Sequence, residues 1–123
     1  MSHKNQLING QWLAGEGHEM VSKNPAKNES IWQGNTATPQ QVEQAVLAAR
    51  SAFPSWANKT VAERLLIIEK FAELLTENKE DLAVSIALET GKPLWETRTE
   101  VGAMLDKRGG DIDAMIADLR NAS

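Results

Sequence analysis

Glu69 and Glu73 are the nearest approach to an acid/base pair in this sequence. Paired carboxylates do proton-transfer work only when their surroundings push their acidities apart. Nothing in the sequence argues that either is buried, and a solvated helix face is the simpler reading. Thr97, Arg98 and Glu100 form a second polar group that could line a pocket mouth or equally face water. His3 and His18 lie in a polar N-terminal stretch without the spacing of a metal site. Cysteine is absent, which excludes disulfides, thiolate metal sites and a cysteine nucleophile. There is no Gly-x-Ser-x-Gly elbow and no glycine-rich phosphate loop after a strand. The expected catalytic, cofactor-binding and metal-ligating residues are therefore none.

The 123 residues allow one domain with a modest core, and the 41% hydrophobic and 24% charged content is that of an ordinary globular chain. The net charge of −4 is spread along the chain, so nothing marks a nucleic-acid surface. No apolar run has the length of a bilayer span, and no basic stretch followed by an apolar one opens the chain. These features predict a cytoplasmic protein with neither a membrane nor a nucleic-acid partner. Asn28-Glu29-Ser30 and Asn58-Lys59-Thr60 match the glycosylation acceptor pattern and read as coincidence in that setting. Trp12, Trp32, Trp56 and Trp95 are scattered and lack an accompanying basic groove, so they are expected to be packing anchors.

The elements that must position these residues begin with Asn9-Gly10, a hairpin turn between short apolar runs at 6–8 and 11–13. Two more strands are expected over Glu19–Asn24 and Ser30–Thr36, separated by the Asn24-Pro25 turn. Thr38-Pro39-Gln40-Gln41 is a capping box with proline at the first helical position. Val42, Ala45, Val46, Ala49, Ala52 and Phe53 then recur at spacings of three and four, predicting one buried stripe, with Pro54 ending the helix at Phe53. Thr60 to Glu63 is a second capping box. It opens a helix to about Leu75 with two apolar rows, Leu65/Ile68/Ala72/Leu75 and Ile67/Phe71/Leu74. Two rows predict burial on more than one side. A third helix is expected from Lys79 to Glu89, with Leu82, Ile86 and Leu88 inward. Gly91 is placed for a left-handed cap, and Pro93 for the first turn of a helix running to about Lys107. Leu94, Val101, Met104 and Leu105 would pack that fourth helix. Arg108-Gly109-Gly110 interrupts, and Asp111 can cap a short helix in which Ile112, Met115, Ile116 and Leu119 recur. The predicted class is α+β, mainly α: a β region over 6–36, then four or five helices.

Glu89-Thr90-Gly91-Lys92-Pro93 with Trp95-Glu96 and Glu100-Val101 resembles a signature of the NAD(P)-dependent aldehyde dehydrogenase family. Other stretches resemble the start of a family subunit in the expected order. They include Ile8-Asn9-Gly10-Gln11-Trp12, Asn24-Pro25-Ala26, Gln41-Val42, Ala48-Ala49-Arg50, Ala52-Phe53 with Trp56, and Glu63-Arg64. The likeness runs over about residues 6–107. Around Ser30-Ile31-Trp32-Gln33-Gly34 it is most similar to the branch that oxidises a succinylated semialdehyde in arginine catabolism.

The resemblance implies NAD-dependent oxidation of an aldehyde to an acid through a cysteine thiolate and a glutamate base. This chain has no cysteine to supply the nucleophile. The family's cofactor glycines, catalytic asparagine and base glutamate belong to regions beyond the likeness. What remains implies structural cladding, an incomplete piece of the fold that is inert alone and binds no cofactor itself. The helix after Gly91-Lys92-Pro93 lies near the substrate entrance in the family. That makes Thr97, Arg98, Val101 and Leu105 entrance-lining candidates, although helical spacing alone favours plain packing or solvent. The divisions expected are 1–107, the family segment, and 108–123, a divergent tail that a frameshift or fusion could produce. Adjacent glycines inside a helix would cost about 2 kcal/mol relative to alanines. The competing reading is a small helical module that binds aldehyde dehydrogenase subunits or itself through the broad face of residues 61–75. A gene remnant without a role is the blandest.

Overall fold

The computed structural model describes residues 4–105 and 112–122. Strands β1 (Lys4–Ile8) and β2 (Gln11–Ala14) pair antiparallel, as do β3 (Glu19–Asn24) and β4 (Glu29–Asn35), each pair a separate two-stranded sheet. Five helices follow: α1 (Pro39–Ala57), α2 (Val61–Glu77), α3 (Lys79–Thr90), α4 (Leu94–Leu105) and α5 (Ile112–Asn121). The mainly helical α+β class is as expected. The chain divides into two compact units, residues 1–58 and 59–123. The boundary expected at 107/108 lies outside the described residues, as do the Arg108-Gly109-Gly110 break and the Asp111 cap.

The first unit is two hairpins and α1. Asn9 and Gly10 both take positive φ, 52° and 75°, the turn that Asn-Gly is suited to make. Two-stranded hairpins are marginal on their own, so something must tie these together. Side-chain amides do it. Asn5 is the extra residue of a bulge in β1, where the register jumps between Lys4 and Gln6. Its Nδ2 donates to Asn35 O at 2.9 Å and its Oδ1 accepts from Gly15 N at 3.0 Å. Asn35 Nδ2 in turn donates to Gly17 O at 2.9 Å. Gln41, almost fully buried, completes the expected capping box with Thr38. It also reaches back to the loop after β2, accepting from Glu16 N at 3.0 Å and donating to Ala14 O at 2.9 Å. Gly15 sits at the tightest point. A Cβ there would lie 2.0 Å from Asn35 O, closer than any side chain can be tolerated.

Two expectations for α1 are corrected. Pro54 does not end the helix at Phe53, and Ser55 to Ala57 are its last turn rather than a link. Residues 50–55 are all exposed, so water can take the carbonyl that Pro54 leaves without a donor, and Asn58 N closes the end on Pro54 O at 3.0 Å. The stripe of Val42, Val46 and Phe53 is not buried; Phe53 is 65% exposed.

In the second unit Thr60 and Glu63 form the predicted capping box. Gly91 takes φ 75° and ends α3 in the left-handed conformation, as expected. The chain then turns directly into α4. Ala83, Thr97 and Val101 are fully buried on the packed α3 and α4, and Ile116 is the buried residue of α5. The inward expectation fails for Leu88 and Met104, which are exposed, and so does Met115 of the α5 stripe. The two rows of α2 part company. Leu65, Ile68, Ala72 and Leu75 are half-buried, whereas Ile67, Phe71 and Leu74 are exposed, along with Leu66 at 67%. Burial on more than one side is thus not met. The tryptophans are corrected likewise: Trp32 and Trp56 are half-buried, but Trp12 and Trp95 stand out in solvent, Trp95 at 70%.

Gln41→Glu isolates the amide's role. It keeps the shape and the capping oxygen but sets a carboxylate oxygen against Ala14 O. The first unit should lose about 1–3 kcal/mol at neutral pH. Protonating the introduced carboxyl restores a donor, so the deficit should shrink in acid. Hydrogen exchange of the α1 first turn against the parent protein, at pH 7 and pH 4, checks both halves.

Candidate functional site

The paired carboxylates and the entrance candidates belong to the second unit, where α2 and α4 carry them. Glu69 and Glu73 lie on one edge of α2. Glu69, half-buried, accepts from Arg120 Nη2 at 2.5 Å, and Glu73, exposed, pairs with Lys70 Nζ at 3.0 Å. The hydrogen bond to Glu73 holds the Lys70 ammonium above its usual pKa. Each carboxylate is matched to a cation. This is the solvated-face reading.

Thr97 and Val101 are fully buried, and Thr97 Oγ1 donates to Leu94 O at 3.1 Å. Leu105 is half-buried. Arg98 is exposed but committed: its Nη2 donates to Glu80 Oε1 at 2.6 Å and its Nε to Oε2 at 3.0 Å. That two-pronged bond across α3 and α4 draws the Glu80 carboxyl below its usual pKa and raises the guanidinium. Glu100 is engaged by Lys92 Nζ, which also lies 4.0 Å from Glu96. The lysine of the Gly-Lys-Pro stretch is therefore a brace along α4, its pKa raised first by the bond to Glu100. Sequence reasoning missed this role. The i, i+4 spacing of Lys92 and Glu96 was its signal.

His18 Nδ1 lies 3.3 Å from Thr36 Oγ1, a local contact beside β3 and β4, and His3 is outside the described residues. Among the described residues no three His, Asp or Glu side chains are grouped to hold a metal ion, and no helix is long and apolar enough to cross a membrane. A Cβ added at Gly15, Gly17 or Gly34 would meet the chain's own Asn35, Thr36 or Trp32 within 3 Å. What the second unit does offer is an open groove between α2 and α5, lined by Ala72, Thr76, Ile116 and the charged Glu69, Glu73 and Arg120.

Comparison with known proteins places this arrangement. The aldehyde dehydrogenase family profile matches residues 12–109. An N-succinylglutamate 5-semialdehyde dehydrogenase of Acinetobacter baylyi is 54% identical over 107 residues, 87% of this chain and 22% of that protein. Its counterpart in Shigella boydii is 54% identical over the same share. Solved structures agree. An E. coli NADP-dependent enzyme superposes with a TM-score of 0.79 at 31% identity, covering 85% of this chain and 22% of the other. Betaine aldehyde dehydrogenase of Staphylococcus aureus, crystallised with NAD+, gives 0.77 at 30%, covering 83% and 21%.

The chain belongs to the aldehyde dehydrogenase family. It spans 22% of the length of the curated relatives it matches, a partial form of their fold. The match ends at residue 109, so α5 lies beyond it.

The burial of Val101 has a measurable consequence. Val101→Ala should destabilise the second unit by about 2 kcal/mol, as removal of buried methyl groups does. Arg98→Ala should instead let Glu80 titrate nearer an ordinary carboxylate. Because the folded pKa of Glu80 is depressed, its pairing contributes above the unfolded pKa and is lost as pH falls through the folded value. Thermal melts for the first variant and an NMR carboxyl titration for the second separate the two roles.

Proposed function

We propose that this chain supplies the outer shell of an aldehyde dehydrogenase resembling N-succinylglutamate 5-semialdehyde dehydrogenase, and does not itself oxidise an aldehyde. The observation that carries this is the exposed row Ile67, Phe71 and Leu74 beside Leu66 on α2, in a chain that spans a fifth of its relatives' length. Large apolar side chains aligned on one helix face belong against another surface. The remainder of such a fold is the surface this reading supplies.

The relatives' names point to the aldehyde, N-succinylglutamate 5-semialdehyde, and the family to NAD as its oxidant. Oxidation of that aldehyde to its acid, as a step of arginine catabolism in the cytoplasm, is the activity to which this shell would contribute. The nucleophile and the dinucleotide site would have to come from elsewhere, since no cysteine is present and the family's cofactor glycines belong to regions beyond the likeness.

A second reading follows from the same exposed faces. The chain would act as an interaction module, its α1 and α2 rows docking on longer aldehyde dehydrogenase subunits or on a second copy. Light scattering of the pure protein, alone and mixed with full-length N-succinylglutamate 5-semialdehyde dehydrogenase, distinguishes this from a shell that stays monomeric.

Incubated with N-succinylglutamate 5-semialdehyde and NAD, the pure chain should form no NADH above the protein-free control, followed by the absorbance of the reduced nicotinamide. Turnover proportional to protein concentration would overturn the inert shell.

A further inference from the structure

We propose that Asn9 is a site of spontaneous covalent modification, where the chain closes on itself as a succinimide and reopens as aspartate or isoaspartate. The inference does not rest on the shell reading above. The reaction needs an asparagine amide and an unshielded backbone nitrogen in the next residue, and the turn between β1 and β2 supplies both. Asn9 and Gly10 are exposed at the tip of the hairpin. Gly10 N lies outside the ladder, whose last pair is Ile8 with Gln11. Glycine brings no side chain to cover that nitrogen, and a Cβ built at Gly10 would meet nothing within 4 Å, so the space around it is open. The Asn9 side chain has no hydrogen-bond partner among the described residues.

The other asparagines lack these conditions. Asn5 Nδ2 donates to Asn35 O, Asn35 Nδ2 to Gly17 O and Asn78 Nδ2 to Leu74 O, so each of these amides is held. Asn24 precedes Pro25, whose nitrogen carries no proton to lose. Asn28, Asn58 and Asn121 precede Glu29, Lys59 and Ala122, where a Cβ crowds the attack. Asn9 alone is followed by a glycine.

No cofactor or oxidant is required. Gly10 N gives its proton to hydroxide and attacks Asn9 Cγ. A C–N bond forms, the Cγ–Nδ2 bond breaks, and Nδ2 leaves as ammonia with a proton from water. Water then opens the ring. Cleavage at Cγ gives aspartate; cleavage at the Asn9 backbone carbonyl leaves the chain running through the former side chain, as isoaspartate. Either product adds a negative charge to a chain of net charge −4. The two differ in the fold. Asp-Gly also favours this two-residue turn, whose φ values are 52° and 75°. Isoaspartate inserts a methylene into the backbone, which disturbs the pairing of Leu7 with Trp12 and Gln6 with Leu13. Asn5, on the same strand, bonds to Gly15 and Asn35, so the disturbance reaches the amide links.

The full chain, aged in mildly alkaline buffer at body temperature, tests this by peptide mapping with fragmentation that tells aspartate from isoaspartate. Modification at Asn9 should outpace that at every other asparagine by roughly ten-fold or more, the advantage of a nitrogen beside no Cβ. It should quicken as pH rises. Gly10→Ala should slow it by a similar factor. Alanine strained at that φ loosens the turn, which alone would speed ring closure, so slowing reports the approach of the nitrogen. In the isoaspartate fraction, hydrogen exchange over 4–14 should be faster than in Asn9→Asp. No product at Asn9, or equal product at other asparagines, would overturn the site. Unslowed modification in Gly10→Ala would overturn the route through Gly10 N. Equal exchange in the isoaspartate fraction and Asn9→Asp would overturn the effect on the hairpin.

Discussion

A helix with apolar residues on two adjacent rows needs both rows covered, and on α2 only one is even partly so. Its inner row, Leu65, Ile68, Ala72 and Leu75, is half-buried within the second unit, while Ile67, Phe71 and Leu74 face water. The same shortage appears on α1, where Val42, Val46 and Phe53 are exposed. Small units bury a smaller share of their surface than large ones, and 123 residues split in two fall at the low end. Among the described residues only Ala83, Val101 and Ile116 are buried apolar side chains. Everything else about the structure follows from that shortage: cohesion has to come from caps, amides and ion pairs.

The first unit shows how far polar groups can replace a core. Gln41 joins the capping box to the β2 loop, and Asn5 joins β1 to β4, so two marginal hairpins and a helix meet through a few amides. Such bonds are directional, and each is worth about 1 kcal/mol net. They set geometry more than they supply stability. Gly15 is the consequence, because backbones drawn this close leave no room for a Cβ. In the second unit the equivalent ties are charged. Arg98–Glu80 and Lys92–Glu100 link surfaces that remain wet, and exposed pairs of this sort fix orientation at small gain.

The features legible in the sequence were the local ones. Thr38 with Gln41, Thr60 with Glu63, Asn9-Gly10 and Gly91 with Pro93 each specify a cap or turn from residues within a few positions, and each formed as read. Burial was not legible to the same degree. Periodicity in Val42, Val46 and Phe53 says that one face is apolar; it does not say that a covering surface is in the same chain. The long-range amides of Asn5 and Asn35 left no periodic trace, since a lone asparagine in a strand looks like any polar residue. Pro54 misled for a related reason. A proline breaks a helix when the carbonyl it strands is buried, and near Arg50 the surface is open to water. Of the candidate site, the exposure of Glu73 was readable, whereas the half-burial of Glu69 and the cross-helix partner of Arg98 were not.

This division between local and distant information bears on how a segment spanning 22% of its relatives' length can still be recognised as theirs. Its identifying residues are mostly caps, turns and close-packed small side chains, which work over a single turn of helix or one hairpin. Those interactions persist whether or not further chain is present. The chemistry of aldehyde oxidation is the opposite case, because a thiolate, a base and a dinucleotide must converge from separate elements onto one carbon. Here several charged groups are drawn toward neighbours on their own or an adjacent helix, Lys70 to Glu73, Lys92 to Glu100 and Arg98 to Glu80. A segment organised in this way can orient a larger fold and be stabilised by it in return, since any partner that binds the folded form alone shifts its folding equilibrium.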